Sequence, residues 1–315
     1  MKLTSNKVEE YVQQSGTDGI YEAIASAARI CYQTDATKMK MQPKEFVENI
    51  LLKNGHSRCL EFGTVYLTLS VDNMTKNDNS TSTPFSLLQL VNKYKNNSYS
   101  KVFLKSDSPY LSMNSKAYIT TNMRVIMQGD YETDFEAWKN SYDKNWLDDL
   151  KYLCKPTENH YKRRTFNMVL SRGASDDLRT HISLSSMCES TRFCNYSKGK
   201  YGNQLTGIKP YWMNFNTDEE VIINENSDLT SFSALSDDER QFLASMAQEE
   251  TEYLKNAKNE LQPQQLKRLF PLWAKCELRL CGFDDAWDNF MWRRLDEHAD
   301  PECTEIAKMI QKLRK

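Results

Sequence analysis

Histidine is scarce in this 315-residue chain: there are four, and none stands at ligand spacing from a cysteine pair. A zinc centre built from Cys and His is therefore not expected. The eight cysteines (Cys31, Cys59, Cys154, Cys188, Cys194, Cys276, Cys281 and Cys303) include no CxxC pair, and no basic segment followed by an apolar run opens the chain. That pattern reads as a reduced, cytoplasmic protein. No stretch approaches the ~18 apolar residues of a membrane span. Charge of one sign is also lacking, since 41 Lys and Arg oppose 43 Asp and Glu for a net −2. Such a balance offers no general attraction to nucleic acid or to an anionic membrane, so an anionic partner must be met by a local cluster. A small phosphorylated ligand fits that better than a polymer. A Gly-x-Gly-x-x-Gly turn, a Walker loop and a legible Ser, His and Asp arrangement are missing too.

What is present is enough apolar content, 39%, to bury a large core as one elaborated domain or two. Helical spacing marks 18–33 and 43–54, and β-branched alternation marks strands at 65–70, 117–128 and 165–171. Residues 71–115 are rich in Asn, Ser, Thr and Lys, with one helical pattern over 85–94, and read as an insertion or surface excursion. Amphipathic helices are expected over 134–153 and 237–260, with an acidic excursion about 217–239 before the second. A strand near 272–280 and a helix over 283–295 follow. The sum is an α/β (α+β) protein with a mixed sheet flanked by helices.

Arg172 to Tyr201 is the densest polar stretch, crowding Asp176, Asp177, Arg179, His181, Glu189, Arg192, Lys198 and Lys200 among six serines. Pattern alone leaves two readings open: a ligand site, or a solvated helix face followed by a loop. Strand 165–171 runs directly into it, which puts its start at a helix N-terminus, where backbone N–H groups favour an anion. Cys188, beside an acid and near His181, reads either as a nucleophile or as a packed thiol.

Within the stretch, Arg172, Gly173, Ser175, His181 and Ser185 lead to Glu189-Ser190-Thr191-Arg192-Phe193-Cys194-Asn195-Tyr196-Ser197-Lys198. This resembles, without a gap, the signature segment of the flavin-dependent thymidylate synthases. Ala28 to Tyr32, the run Gly55 to Thr64, Lys209 to Met213, and Leu261 to Ala307 are similar to other motifs of that family.

The resemblance implies one domain over 1–315, assembled as a homotetramer with active sites between subunits. It implies methylation of dUMP at C5 with methylenetetrahydrofolate as co-substrate, FAD as hydride carrier and NADPH as reductant. Carried over by position, Glu189, Ser190, Thr191 and Arg192 would hold dUMP, and Thr64, Arg179, His181 and Arg294 would meet FAD. Several positions depart from the family: Phe62 replaces a histidine, Thr180 and Ile182 replace arginines, Cys188 replaces Glu or Gln, and Thr304 replaces the uracil-activating arginine. A divergent homologue that binds a pyrimidine nucleotide without flavin chemistry, or one that modifies a different pyrimidine nucleotide, is the alternative expectation.

Overall fold

The computed structural model describes residues 1–33, 41–78, 83–107, 111–129, 146–217, 219–259 and 261–315. Strands β1 (Lys2–Thr4) and β2 (Lys7–Glu10) lead into α1 (Gly16–Tyr32), whose buried Ile20, Ala23, Ile24, Ala27 and Ala28 fall on one stripe at helical spacing. The expected helix over 43–54 divides: α2 (Pro43–Phe46) continues as a wider π turn, Val47–Leu52. That turn still buries Val47, Leu51 and Leu52. A 3-10 turn, Ser57–Phe62, then delivers the chain to β3 (Thr64–Ser70).

The polar stretch after β3 contains regular elements among its described residues. It holds α3 (Val71–Asp78), α4 (Pro84–Lys95) and β4 (Lys101–Lys105). Its few apolar residues suffice because Leu87, Val91 and Tyr94 recur at four- and three-residue steps and build one buried stripe. Strand β5 (Lys116–Asn122) is also shorter than its apolar run predicts. The Asn122 side chain accepts from the N–H groups of Arg124 and Val125 at 3.0 and 3.2 Å, capping α5 (Met123–Gln128). Of the helix expected over 134–153, residues 134–145 lie outside the described residues, and Leu147–Tyr152 forms a 3-10 turn.

Strand β6 (Arg163–Ser171) enters α6 (Arg172–Leu178), after which β7 (Ser185–Cys188), β8 (Thr206–Ile208) and β9 (Val221–Ile222) follow. The strand at β7 was not legible in the polar stretch, since only four residues pair there. Helix α7 (Asp237–Lys258) starts at a Ser236/Glu239 capping box. The chain closes with α8 (Pro263–Leu266), β10 (Lys275–Phe283), α9 (Asp284–Arg294) and α10 (Pro301–Arg314).

The protein is mixed α/β, and its named strands form three sheets with orders β8-β1-β9, β2-β6-β10-β7 and β3-β5-β4. Among the described residues only β1 and β8 run parallel. The four-stranded sheet positions the site. Along β6 and β10, Phe166, Met168, Leu170, Leu278 and Leu280 face Trp287, Phe290, Ile306 and Ile310 of α9 and α10. Alternation sends the other set of side chains toward α1. There the buried Arg279 donates to Asn167 Oδ1 at 2.6 Å and to Ser26 Oγ at 2.7 Å. Satisfying its donors on side-chain and backbone oxygens is what lets a guanidinium sit inside. A Cβ at Gly282 would stand 2.4 Å from Leu184 Cδ2, so the side chain that seats the 182–184 turn on β10 would have to shift.

Candidate functional site

Two open cavities meet at that turn. The first, about 780 Å3, lies between Thr180–Ser183 and the end of α9, with Trp292, Arg293, Arg294 and His298 on its far wall. The second, about 760 Å3, shares Ile182 and Ser183 and extends to Arg58, Lys101, Arg124 and Arg163.

His181 is the fixed point of the first cavity. It is 6% exposed, packs on the Phe290 ring at 4.8 Å, and its Nε2 accepts from Arg294 Nε at 2.9 Å. Burial, and then the charges of Arg294 and Arg293, pull its pKa down to about 4. The ring is therefore neutral at pH 7, with its proton on Nδ1, because Nε2 must present a lone pair to Arg294. Arg294 also donates from Nη2 to Asp177 O at 2.6 Å and to Thr180 Oγ1 at 3.2 Å. Its own carbonyl receives Thr304 Oγ1 at 2.9 Å. Thr304 thus braces the end of α9 from the first turn of α10.

In the second cavity, Arg124 pairs with Glu61 at 2.5 Å and Lys101 with Asp285 at 2.6 Å. Arg163 is held by neutral oxygens, Glu61 O at 2.7 Å, Thr64 Oγ1 at 3.2 Å and Ser185 Oγ at 3.4 Å. Among the described residues Arg58 reaches only Ser186 Oγ, at 3.4 Å. Four cations face two carboxylates, and the guanidinia of Arg58 and Arg163 have no carboxylate partner among the described residues. A wall with such a surplus suits an anion.

The residues expected to hold nucleotide lie apart from both cavities. Glu189 is buried: Oε1 accepts from Tyr196 OH at 2.5 Å, while Oε2 receives Glu277 N at 3.2 Å and lies 3.3 Å from Lys275 Nζ. Burial, then the Glu189 charge, pushes the Tyr196 hydroxyl far up. Burial alone would lower the Lys275 ammonium, yet Glu189 and Glu277 hold it above its ordinary value. Ser190 Oγ accepts from Arg192 N at 3.2 Å. Thr191 is half-buried, and Arg192 is exposed with its guanidinium 5.5 Å from the Phe193 ring, which packs on Tyr32.

Of the four expected flavin contacts, the structure brings His181 and Arg294 together and leaves two elsewhere. Thr64 lines a third cavity, about 440 Å3, beside residues 10–16 and 153–165. Arg179 pairs with Asp176 at 3.0 Å and lines neither of the first two cavities. The helix start at α6 offers no anion site either. The Arg172 and Gly173 N–H groups donate to Ala274 O and Leu272 O at 2.8 and 3.0 Å, and Ala174 N donates to Ser171 Oγ at 3.1 Å. Sequence reasoning missed Arg58, Arg163, Trp292 and Arg293. The Lys162–Arg164 cluster and the neighbours of Arg294 were the available signals.

The family model described as "Thymidylate synthase complementing protein" matches residues 156–315, slightly more than half of the chain. This chain belongs to that thymidylate synthase complementing family. The matched span carries β6, α6, the signature stretch and α9 to α10, so both sides of the first cavity come from it. No curated protein matches the chain. Among solved structures, ThyX from Helicobacter pylori with FAD and dUMP is similar at 16% identity, covering 47% of this chain and 65% of that one, with a TM-score of 0.35. The UMP/dUMP methylase PolB from Streptomyces cacaoi, with 5-Br UMP, is 11% identical over 99% of this chain and 89% of its own, with a TM-score of 0.39. Against the first of these the chain spans less than two thirds of the relative's length. Likenesses this remote leave the chemistry of the site to be argued from this family member's own residues. Among the described residues no helix is long and apolar enough to cross a membrane.

Proposed function

We propose that this chain methylates a uridine monophosphate at C5, with dUMP as substrate, methylenetetrahydrofolate as one-carbon donor, FAD as hydride carrier and NADPH as reductant. The observation that carries the reading is the contact of His181 with Arg294 at 2.9 Å, which joins the signature turn to the C-terminal module at one cavity wall. The residues present fit a diphosphate joined to a planar ring. Arg58, Arg163 and Arg293 have no carboxylate partner among the described residues, and Trp292, 73% exposed, with Ile182, 98% exposed, gives an apolar rim. When bound, reduced flavin supplies the hydride equivalent.

The protein's own share is binding and orientation. Arg294 is spent on His181, Asp177 and Thr180, so it fixes the wall, while Arg293, 5.5 Å from the Trp292 ring, has no carboxylate partner among the described residues and is assigned to an anion. Neutral His181 keeps a donor on Nδ1. Ser190 and Arg192 are assigned the nucleotide phosphate, with Glu189 as the buried anchor of their loop and Thr191 beside them. Because that loop lies off both cavities, a second copy of the chain is proposed to bring it to them, in the homotetramer of single-domain subunits that the resemblance implies. The exposed Ile182, Trp292 and Phe193 support burial by a partner.

A second reading, a nucleotide-binding homologue without flavin chemistry, has one specific observation behind it. Thr304 carries no charge and commits its hydroxyl to Arg294 O at 2.9 Å, so a uracil-activating cation is not supplied from that position. The deciding assay is dTMP formation from dUMP, methylenetetrahydrofolate, NADPH and added FAD, read by chromatography. Product with saturable, stoichiometric flavin supports the first reading; tight dUMP binding with no product at any flavin concentration supports the second.

A further inference from the structure

The third cavity, about 440 Å3, is lined by residues 10–16 and by most of 153–165. Gln13 pins the first segment to the start of β3 as a paired strand would: its Nε2 donates to Thr64 O at 2.7 Å, and Thr64 N donates to its Oε1 at 2.8 Å. Tyr11 N donates to Thr165 O at 2.9 Å and ties the same segment to β6. The second segment is held by His160, whose Nε2 donates to Leu67 O at 3.1 Å while Nδ1 accepts from Thr157 N at 3.1 Å. Both ring nitrogens are spent on backbone, and burial lowers the pKa of the ring.

The groups these bonds leave over suit a ligand. Tyr11, Tyr66 and Tyr161 supply rings to the wall, and Ile20, Leu153 and Pro156 supply apolar surface. The Tyr66 hydroxyl bonds nothing among the described residues. Burial, opposed by the charge of Arg163, pushes its pKa up to about 12, so it is a donor at neutral pH. Arg164 is neutralised by Glu10 and Asp284, each at 3.0 Å. Its neighbours Lys162 and Arg163 have no carboxylate partner among the described residues, against one exposed acid of the wall, Glu158.

Arg163 stands where this cavity meets the second one, since it lines both. Its Nη1 bonds Thr64 Oγ1 on the third-cavity side at 3.2 Å, and its Nη2 bonds Ser185 Oγ on the second-cavity side at 3.4 Å. Its Nε bonds nothing among the described residues. Aromatic walls, a phenolic donor and two consecutive cations without carboxylates are the set a nucleotide requires: faces for the base, a donor for a ring nitrogen or sugar oxygen, and charge for phosphate.

We infer that the third cavity takes the adenosine phosphate end of a dinucleotide, with adenine among the Tyr11, Tyr66 and Tyr161 rings and phosphate on Lys162 and Arg163. The inference rests on the proposed reading of the second cavity as a diphosphate site. A dinucleotide whose diphosphate meets Arg163 there still has its adenosine to place, and the third cavity borders the same guanidinium. FAD and NADPH both carry adenosine diphosphate, so that moiety is the chemistry recognised. Thr64 then acts by holding Arg163 between the two cavities.

The probe is ADP, titrated by calorimetry into the full chain with flavin removed and neither dUMP nor folate present. Saturable binding is expected, weakened at least about tenfold by Lys162→Gln or Arg163→Gln and about fivefold by Tyr66→Phe. Nuclear Overhauser contacts from adenine H2 and H8 to the Tyr66 and Tyr161 rings, read on the wild-type chain, place the base without relying on a variant that folds. Displacement names the source: FAD displacing ADP where FMN does not assigns the flavin, and NADPH displacing it where reduced nicotinamide mononucleotide does not assigns the reductant. Either result supports the site. Absence of ADP binding, absence of contacts to those rings, unchanged affinity in Tyr66→Phe and Lys162→Gln, displacement by neither dinucleotide, or displacement by dUMP as effective as by ADP itself overturns the inference. Formation of dTMP without ADP binding would remove this site and leave the methylation standing; ADP binding without dTMP formation would do the reverse.

Discussion

Protonating His181 should weaken the fold in a defined pH window. The unfolded ring titrates near 6.5, whereas burial and the neighbouring Arg294 and Arg293 hold the folded ring at about 4. Between these values the unfolded chain binds more protons, so stability is fully present above about 6.5 and falls as the pH drops toward 4. One and a half pH units below 6.5, at 1.36 kcal/mol per unit, gives about 2 kcal/mol lost by pH 5. The ring borders an open cavity, and solvent screening reduces this to about 1 kcal/mol. An imidazolium also has no lone pair for Arg294 Nε, so the 2.9 Å contact must break. His181→Gln keeps an acceptor for Arg294 but cannot titrate. Urea unfolding of both proteins at pH 7 and pH 5 should show the wild type losing about 1 kcal/mol more than the variant. The difference cancels other titrating groups, including His160, which burial also lowers. With four histidines in the chain, NMR can follow each ring. Titration of His181 at or above 6.5 in the native state, or equal losses in the two proteins, would refute the reasoning.

Other outcomes follow from named contacts. Arg192→Ala should weaken dUMP binding at least tenfold, in line with about 1.5–3 kcal/mol for a hydrogen bond to a charged group, and calorimetry showing equal affinities would remove Arg192 from the phosphate. Thr304→Val deletes the hydroxyl that holds the Arg294 carbonyl; it should cost about 1 kcal/mol in urea unfolding and raise the pKa of His181, and an unmoved His181 titration would show that the brace does not act on the wall. Gly282→Ala drives a methyl to 2.4 Å from Leu184 Cδ2, so the thermal midpoint should fall by several degrees for about 1–3 kcal/mol of overpacking; an unchanged midpoint would mean the 182–184 turn yields freely.

Sequence by itself determined the elements whose patterns are local and long. Helices α1 and α7, strands β3 and β6, and the β10–α9 sequence stand close to where spacing put them, because each buries a stripe or an alternating face that recurs along the chain. It also located the signature stretch, since a run of matched residues needs no third dimension. Strand β7 escaped because four paired residues carry too little pattern, and the end of β5 was set by one Asn122 side chain that competes for the next backbone N–H groups. The helix start at α6 read as an anion site because its N–H groups are orphaned within the helix; only the tertiary fold brings Leu272 and Ala274 carbonyls to them. The same holds for charge. Arg179 looked available in sequence and is spent on Asp176, while Arg58, far from the signature in the chain, and Arg163, at the far end of the strand that leads into it, arrive at its cavity with no carboxylate partner among the described residues. Which cations are free depends on the acids that the fold places within 4 Å of them, and that distance is decided by packing between elements remote in the chain.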